Sequence, residues 1–268
     1  QSSCSSWIQV TAKAVSAGVR RWTSDFFSGA AEEILRHPRY RLHVVTSRGR
    51  GLLRKEVPGL THLGFLGAYL SNAISRRSLG QWLERVIFSS TPEGPRLDLS
   101  DLPTRIQPLC KENFEPAMLA SGSIPFVLQA VQGIPHAPGG AYWDGGVTDY
   151  QLHWNYASLN RTSAGSPRLV LYPHFQAQVV PGWMDKPWKA RHQATPSLDN
   201  VVLLSPRPEW VATLPNRKLP DRRDFTQYAT DIPGRIRVWK QALAESERLA
   251  EEFSDFLEDR GEVRLLPL

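Results

Sequence analysis

The sequence has little of what disulfide frameworks and zinc sites require. It contains two cysteines in 268 residues, Cys4 and Cys110, which lack metal-ligand spacing. None of its seven histidines belongs to a His-Glu-x-x-His or comparable ligand pattern. The composition therefore argues against a disulfide scaffold and a zinc site, and it predicts a reducing compartment, the cytoplasm.

Long apolar runs are also missing. No segment approaches the roughly 20 apolar residues that a membrane-spanning helix needs. The first residues, "QSSCSSWIQVTAK", lack the basic start and apolar middle of a secretory signal peptide. The sequence begins with Gln1 and not with Met, so we expect it to start at a cut, processed or truncated end. Its 41% hydrophobic and 22% charged residues are typical of a globular protein with a sizeable core.

The charge is basic, with 32 Lys and Arg against 26 Asp and Glu, a net charge of +6. This excess favours contact with anionic surfaces such as phospholipid headgroups or nucleic acid, and an ordinary solvated basic surface is the equal alternative. Nucleic-acid binding would need a recognition element. The sequence has no zinc-finger, helix-turn-helix or RNA-binding motif, so we expect no nucleic-acid partner.

Helical patterns and short apolar runs alternate along the chain. Helical spacing predicts helices within 12–37 and over 225–260, and another in the stretch that begins "HLGFLG" and ends at Ile74. The runs "RLHVVTS", "RLVLYPHF" and "NVVLLSP" predict strands, the last two buried. We therefore predict an α/β fold with a mostly parallel sheet flanked by helices. Without repeats or an obvious linker, residues 1–268 are expected to form a single domain with a long C-terminal helical region at 225–260.

The stretch "GAYWDGGVTDYQLHW", Gly140 to Trp154, places a carboxylate between bulky aromatics and a glycine pair. The aromatics predict a buried strand that ends at Asp144, and Gly145 and Gly146 predict a sharp turn. A buried Asp is costly unless it is hydrogen-bonded or functional. An Asp before Gly most often caps a turn, so the local pattern leaves a structural and a catalytic role open.

The longer stretch "AMLASGSIPFVLQAVQGIPHAPGGAYWDGGVTDYQL" resembles the patatin-like phospholipase family. The family pattern is a helix ending in Ala-Ser, then a Pro, then a strand ending in Asp-Gly-Gly or Asp-Gly-Ala. These elements match Ala120 and Ser121, Pro125, and Asp144 with its two glycines. "RLHVVTS" could supply the family's upstream strand. The resemblance covers most of the first 155 residues.

The resemblance implies a patatin-like fold and a lipid acyl hydrolase that works with a Ser–Asp dyad. Asp144 would be the general base, accepting the serine proton during attack on the ester carbonyl and returning it to the leaving group. Gly145 and Gly146 would leave room for the turn at the strand end. The implied substrate is a phospholipid or another lipid ester. A Ser–Asp dyad needs no metal or organic cofactor.

The chain departs from the family because it contains no Gly-x-Ser-x-Gly motif. Ser16, Ser47 and Ser163 each precede x-Gly, and Ser47 alone follows a plausible strand, but a Gly-Arg-Gly run and not a helix comes next. We therefore expect the nucleophile in an N-terminal segment upstream of Gln1 and predict that this chain alone is inactive. The alternative is an incomplete homologue that binds lipid or a protein partner without catalysis.

Three further patterns carry alternatives. A metal-dependent hydrolase could use Asp144, Asp149 and His174, although a partly buried structural histidine is the commoner outcome. The Gly-rich run at Arg48, Arg50, Arg54 and Lys55 could hold a phosphate headgroup, and a solvated basic loop is the equal alternative. Tryptophans interleaved with cations could make a peripheral membrane contact, with packing in the core favoured instead; they are Trp183, Lys186, Trp188, Lys189 and Arg191.

Overall fold

The computed structural model describes residues 12–27, 29–161, 168–258, 260 and 266. Its contacts group into two compact units, which we describe separately. The first comprises residues 1–168 and 179–199, and the second comprises residues 169–178 and 200–268. That the two units form the single domain predicted from the sequence stays a prediction.

The first unit holds a four-stranded sheet and most of the short helices. Its strands are β1 (His43–Gly49), β2 (Leu83–Ser89), β3 (Thr104–Pro108) and β4 (Tyr142–Asp144). Its α-helices are α1 (Ala12–Phe27), α2 (Ala30–Arg36), α3 (Leu60–Ile74), α4 (Lys111–Ser121), α5 (Gly146–Asp149) and α6 (Ser158–Arg161). Short 3₁₀ turns connect several of these elements.

The strands are ordered β3-β2-β1-β4. β1 is antiparallel to both β2 and β4, and only β2 and β3 are parallel. The predicted α/β class with flanking helices is confirmed, but the prediction of a mostly parallel sheet is wrong. The burial pattern explains the error: every residue of β2 is buried, and a continuous apolar run marks a covered strand without fixing the direction of its neighbours.

Two apolar clusters cover the two faces of this sheet, because alternate residues of each strand project to opposite sides. One cluster includes Val44, Phe88 and Phe114 and packs α4 against the sheet. The other includes Phe65 and Trp143 and packs α3 against the opposite face. The sheet is thereby fixed between helices, and the end of β4 is held in a rigid frame.

The second unit contains the parallel pair β5 (Val170–Pro173) and β6 (Val201–Leu204), followed by α7 (Pro208–Thr213), α8 (Arg223–Gln227) and α9 (Ile232–Leu257). Both predicted strands exist, but the prediction that they are buried is wrong, since Leu171 is exposed and no residue of either strand is fully buried. The α9 helix matches most of the predicted C-terminal helical region. None of the helices in the described parts of the chain is long and apolar enough to cross a membrane.

Candidate functional site

Asp144 is the last residue of β4. Tyr142 and Trp143 before it are fully buried, as the aromatic run predicts. On one side β4 pairs with β1; on the other, the Asp144 N–H donates to the carbonyl of Ser123 at 2.9 Å. The backbone of Asp144 is therefore held from both sides, and the position of its carboxylate is fixed by the sheet and not by a free loop.

Crowding requires the first of the two glycines after Asp144 and leaves little room at the second. A Cβ on Gly145 would lie 2.3 Å from the carbonyl oxygen of Val45, a contact that no side chain can make. A Cβ on Gly146 would lie 3.0 Å from Oδ1 of Asp144. Neither glycine has a positive φ. The pair therefore lets the chain turn close to β1 and close to the carboxylate, which is the room expected of them from the sequence.

The Asp144 carboxylate is half-buried, and its two oxygens differ. Oδ1 accepts the Gly146 N–H at 2.7 Å, an Asx turn of the kind that Asp-Gly pairs form. Burial raises the pKa of Asp144, while the Gly146 N–H and the charge of Lys186 oppose the rise. No residue in the described part of the chain donates a hydrogen bond to Oδ2. Asp144 thus has the predicted structural role, and it also has one oxygen available to accept a proton.

Ser47 does not reach Asp144. Its side chain is fully buried, and Oγ lies 2.9 Å from Oγ1 of Thr148. The strand register pairs Thr46 with Asp144 and Ser47 with Trp143. Because neighbouring residues of a strand project to opposite faces, the side chains of Ser47 and Asp144 lie on opposite faces of the sheet. The structure therefore places Ser47 as a buried hydrogen-bonding residue.

The other two candidate serines are no better placed. Ser16 lies within α1, as its helical context predicts, and its Oγ accepts the N–H of Gln129 at 3.0 Å. Ser163 lies outside the described residues. No serine hydroxyl in the described ranges is hydrogen-bonded to Asp144. Neither of the two candidate nucleophiles that the structure describes, Ser16 and Ser47, therefore reaches the candidate base.

The three residues of the hypothetical metal site have other surroundings. Asp149 is fully buried, and its oxygens accept bonds from Arg85 at 2.8 and 2.6 Å and from Trp154 Nε1 at 2.9 Å. Burial alone would raise the pKa of Asp149, but the guanidinium of Arg85 outweighs it and the pKa is lowered. His174 belongs to the second unit, where Nδ1 lies 2.8 Å from the carbonyl of Gln176. With both oxygens of Asp149 committed to a cation, this carboxylate is not an available metal ligand.

A different group of possible metal ligands lies at the start of α4. One ligand atom each of Cys110, Glu112 and His136 come within 4.8 Å of one another. The Cys110 sulfur caps α4, and the Asn113 side chain accepts the Cys110 N–H at 2.9 Å, so the cluster has a structural explanation as a capping box. None of the three residues was predicted from the sequence to bind metal.

A buried ion network that the sequence analysis missed lies behind α5. Arg85 binds both Asp149 and Asp101, and Arg76 donates to Asp185 at 2.8 Å. Asp185 also accepts from Asn72 and Arg191, while Asp149, Asp185 and Arg85 are all buried. The network ties β2, α3 and α5 to the segment after residue 179. The signal in the sequence was the Glu-Arg pair inside the apolar run "WLERVIF", since charges within a buried strand need partners.

The basic Gly-rich run is only partly free to meet a ligand. Arg48 forms an ion pair with Glu84 at 2.6 Å and donates to the carbonyl of Gly139. Arg50 donates to the carbonyl of Gly80. Arg54 and Lys55 are exposed and form no ion pair with any residue that the structure describes. Of the four cations considered for a headgroup site, Arg54 and Lys55 are thus the two that are exposed and have no ion-pair partner in the described part of the chain.

The run of tryptophans and cations near residue 185 mainly serves packing. Trp183 packs against the apolar cluster around Trp143. Lys186 Nζ lies 3.8 Å from the ring centroid of Tyr150, a cation–π contact. Arg191 is bonded to Asp185 at 2.7 Å. These contacts support the packing alternative for this run over a membrane contact.

Comparison with known proteins assigns no family. Neither the protein-family models, the curated proteins nor the solved structures contain a match to this chain. The likeness to patatin-like phospholipases accordingly stays a prediction that rests on the residues and geometry described above.

Proposed function

We propose that this chain carries the general base of a patatin-like lipid acyl hydrolase, with Asp144 in that role and a phospholipid or other lipid ester as substrate. One observation carries the proposal: a half-buried carboxylate with a raised pKa stands at the end of a buried strand, between two backbone contacts and a glycine turn. A carboxylate held in this way is positioned for proton transfer.

In the proposed reaction, Asp144 accepts the proton of a serine hydroxyl as its oxygen attacks the ester carbonyl carbon. The same proton then passes to the leaving alcohol, and water releases the acyl group by the reverse sequence. The N–H of Gly146 fixes Oδ1 and leaves Oδ2 as the acceptor. The raised pKa supports this role, because a base is most effective when its pKa lies near the working pH.

The nucleophile belongs to a Gly-x-Ser-x-Gly motif that this sequence does not contain. The proposal places it N-terminal to Gln1, and the 268-residue chain by itself is then inactive. The chemistry needs no metal or organic cofactor. We propose a cytoplasmic location, with lipid reached at a membrane surface.

A non-catalytic homologue that binds lipid or a protein partner is the second candidate. Two observations favour it: no described serine hydroxyl is hydrogen-bonded to the Asp144 carboxylate, and the Gly146 N–H already gives this carboxylate a structural use. A metal-dependent hydrolase is disfavoured because Arg85 occupies Asp149.

The test compares the 268-residue chain with the product of the complete reading frame that contains it. We expect the short chain to hydrolyse nitrophenyl esters at background rate and the complete product to be active. Asp144→Asn in the complete product should lower turnover by about 10²- to 10⁴-fold, the usual contribution of a general base. Asp199→Asn, at an exposed Asp of the same unit, is the matched control and should keep full turnover.

Three other outcomes would each contradict a part of the proposal. An inactive complete product with an intact fold would establish the non-catalytic alternative. Full turnover in Asp144→Asn would remove Asp144 as the base. Robust turnover by the short chain that disappears in Ser47→Ala would show that the nucleophile is Ser47.

A further inference from the structure

One face of α3 is a continuous apolar stripe that no residue of the described chain covers. Leu63, Leu66, Leu70 and Ile74 recur at helical spacing, and their side chains are 59%, 53%, 56% and 87% exposed. Leu60, one turn earlier, is also exposed. Scattered exposed leucines are ordinary, but a contiguous apolar patch of this kind marks a surface that meets a partner.

The orientation of this stripe is fixed by the opposite face of α3. Phe65 and Ala68 lie in the core, and Asn72 donates to the buried Asp185 at 2.8 Å. A Cβ on Gly64 would come within 2.7 Å of Leu53, so that side of the helix lies directly on its neighbour. Rotating α3 to bury the leucines would expose these groups and break the Asn72 bond. The stripe therefore faces outward in the folded state.

A second apolar element extends the stripe. Ile124, Phe126 and Val127, in the loop after α4, are exposed. The Phe126 ring stacks on His62 of α3 at 4.6 Å and meets Phe65 edge-on at 5.2 Å. The α3 face, which we define as the stripe from Leu60 to Ile74 together with this loop, is thus one surface built from two segments.

The exposed charges around the α3 face are mainly basic. Residues 57–83 contain no Asp or Glu. Arg54 and Lys55 precede the helix and Arg77 follows it, all three exposed and without an ion-pair partner among the described residues. The one acid between Lys55 and Arg77 is Glu56, whose carboxylate accepts the Ala130 N–H at 2.9 Å. An exposed apolar surface with unpaired cations at both ends suits the interface of an anionic membrane.

We propose that the α3 face docks on the surface of an anionic phospholipid bilayer. The leucines and Phe126 would enter the boundary between headgroups and acyl chains, and Arg54, Lys55 and Arg77 would meet lipid phosphates. Charge favours this occupant over a second copy of the chain, since pairing two α3 faces would bring like charges together. The proposal does not rest on the proposed hydrolase, because binding to vesicles needs no ester cleavage.

Co-sedimentation of the full chain with phosphatidylcholine vesicles, with and without phosphatidylserine, tests the proposal. We expect binding that requires the anionic lipid and weakens as salt is raised. The variant Leu63→Ser with Leu66→Ser and Leu70→Ser should bind more weakly by about tenfold per leucine. Arg54→Gln with Lys55→Gln should weaken binding by about fivefold per cation. Hydrogen exchange should show slower exchange in α3 and residues 122–128 when vesicles are added.

Matched controls come from the second unit. Leu169→Ser with Leu243→Ser and Leu257→Ser removes three leucines of similar exposure, and Arg237→Gln with Lys240→Gln removes two exposed cations. Both controls should bind like the parent chain, and circular dichroism should show that every variant is folded. Equal loss in the controls, absence of vesicle binding, or binding without anionic lipid would each overturn the proposal. A dimer of the parent chain that the α3 leucine variant converts to monomer, with no vesicle binding, would make a second copy the occupant instead.

Discussion

The ion pair between Arg85 and Asp149 gives the sharpest stability prediction. Both side chains are buried, at 0% and 1% exposure, and two hydrogen bonds of 2.8 and 2.6 Å join them. The Asp149→Asn substitution keeps the shape and removes the charge. It leaves Arg85 buried with only the half-exposed Asp101 as a charged partner. An amide group also turns N–H donors toward the N–H donors of the guanidinium.

The Asp149→Asn substitution should destabilise the fold by several kcal/mol. Removing one member of a buried ion pair typically costs about 3–5 kcal/mol, because the other charge stays buried and unpaired. Two unit charges about 4 Å apart attract by about 4 kcal/mol at an effective dielectric constant of about 20. We therefore expect Asp149→Asn to lower the free energy of unfolding by about 3–5 kcal/mol. At about 2–4 °C per kcal/mol, the melting temperature should fall by about 6–20 °C.

The assay is urea unfolding and calorimetry at neutral pH, with Asp101→Asn as the matched control. Asp101 bonds the same guanidinium at 2.8 and 3.0 Å, but its side chain is 42% exposed. Solvent screens such a pair, so its loss should cost about 1 kcal/mol or less. The double variant Arg85→Met with Asp149→Leu should recover much of the stability, because it removes both buried charges and the Asp101 carboxylate that loses its Arg85 partner is half-exposed.

The direction of the Asp149 pKa shift determines how the stability of the fold changes with pH. The pKa of Asp149 is lowered in the folded state, because the pairing with Arg85 outweighs the desolvation. Its stabilising effect is therefore present above the unfolded pKa, about 3.9, and is lost as the pH falls through the folded pKa. The gap in stability between the parent chain and Asp149→Asn should be constant near neutral pH and close only in acid. If Asp149→Asn costs no more than Asp101→Asn, burial is not what makes this pair strong.

Three further predictions concern the surroundings of Asp144 and the start of α4. Asp144→Asn should raise the melting temperature at neutral pH and leave it unchanged below about pH 4. Burial raises the pKa of the Asp144 carboxyl in the folded state, so its ionised form destabilises the fold. An unchanged melting temperature at both pH values would contradict this. Gly145→Ala should lower the free energy of unfolding in urea by about 3 kcal/mol or more, since its Cβ would lie 2.3 Å from a β1 carbonyl oxygen. The control is Gly139→Ala, whose Cβ meets no atom within 4 Å and which should unfold within about 0.5 kcal/mol of the parent chain. Burial and a hydrogen bond to Glu112 raise the pKa of the Cys110 thiol, so alkylation followed by peptide mass spectrometry should be slow at neutral pH and faster in Glu112→Ala; equal rates would refute the contribution of Glu112.

The candidate site was partly predictable, because its signals are local. The aromatic run and the glycine pair correctly predicted a buried strand that ends at Asp144. A turn that leaves no room for a Cβ also shows in the sequence as glycine. The partners of Asp149 were not predictable, because Arg85 lies 64 residues away and meets it only through the sheet. The metal hypothesis selected Asp149 by residue type alone. The sequence does not show that this carboxylate is already paired with Arg85.

The sequence by itself determined the mixture of helices and strands, the basic charge, the turn at Asp144 and the acid-free run that contains α3. These are properties of composition and of neighbouring residues, which act before any tertiary contact forms. Only the tertiary structure decided that β1 runs antiparallel to its neighbours, because burial on both faces does not depend on strand direction. It also decided that Ser47 and Asp144 project from opposite faces. That result follows from the register between β1 and β4, whose paired residues lie 94 to 98 positions apart in the sequence, and a shift of one residue would reverse it. The outward position of the α3 leucines was decided in the same way, because the helix is apolar nearly all round and packing alone selected the face that it buries.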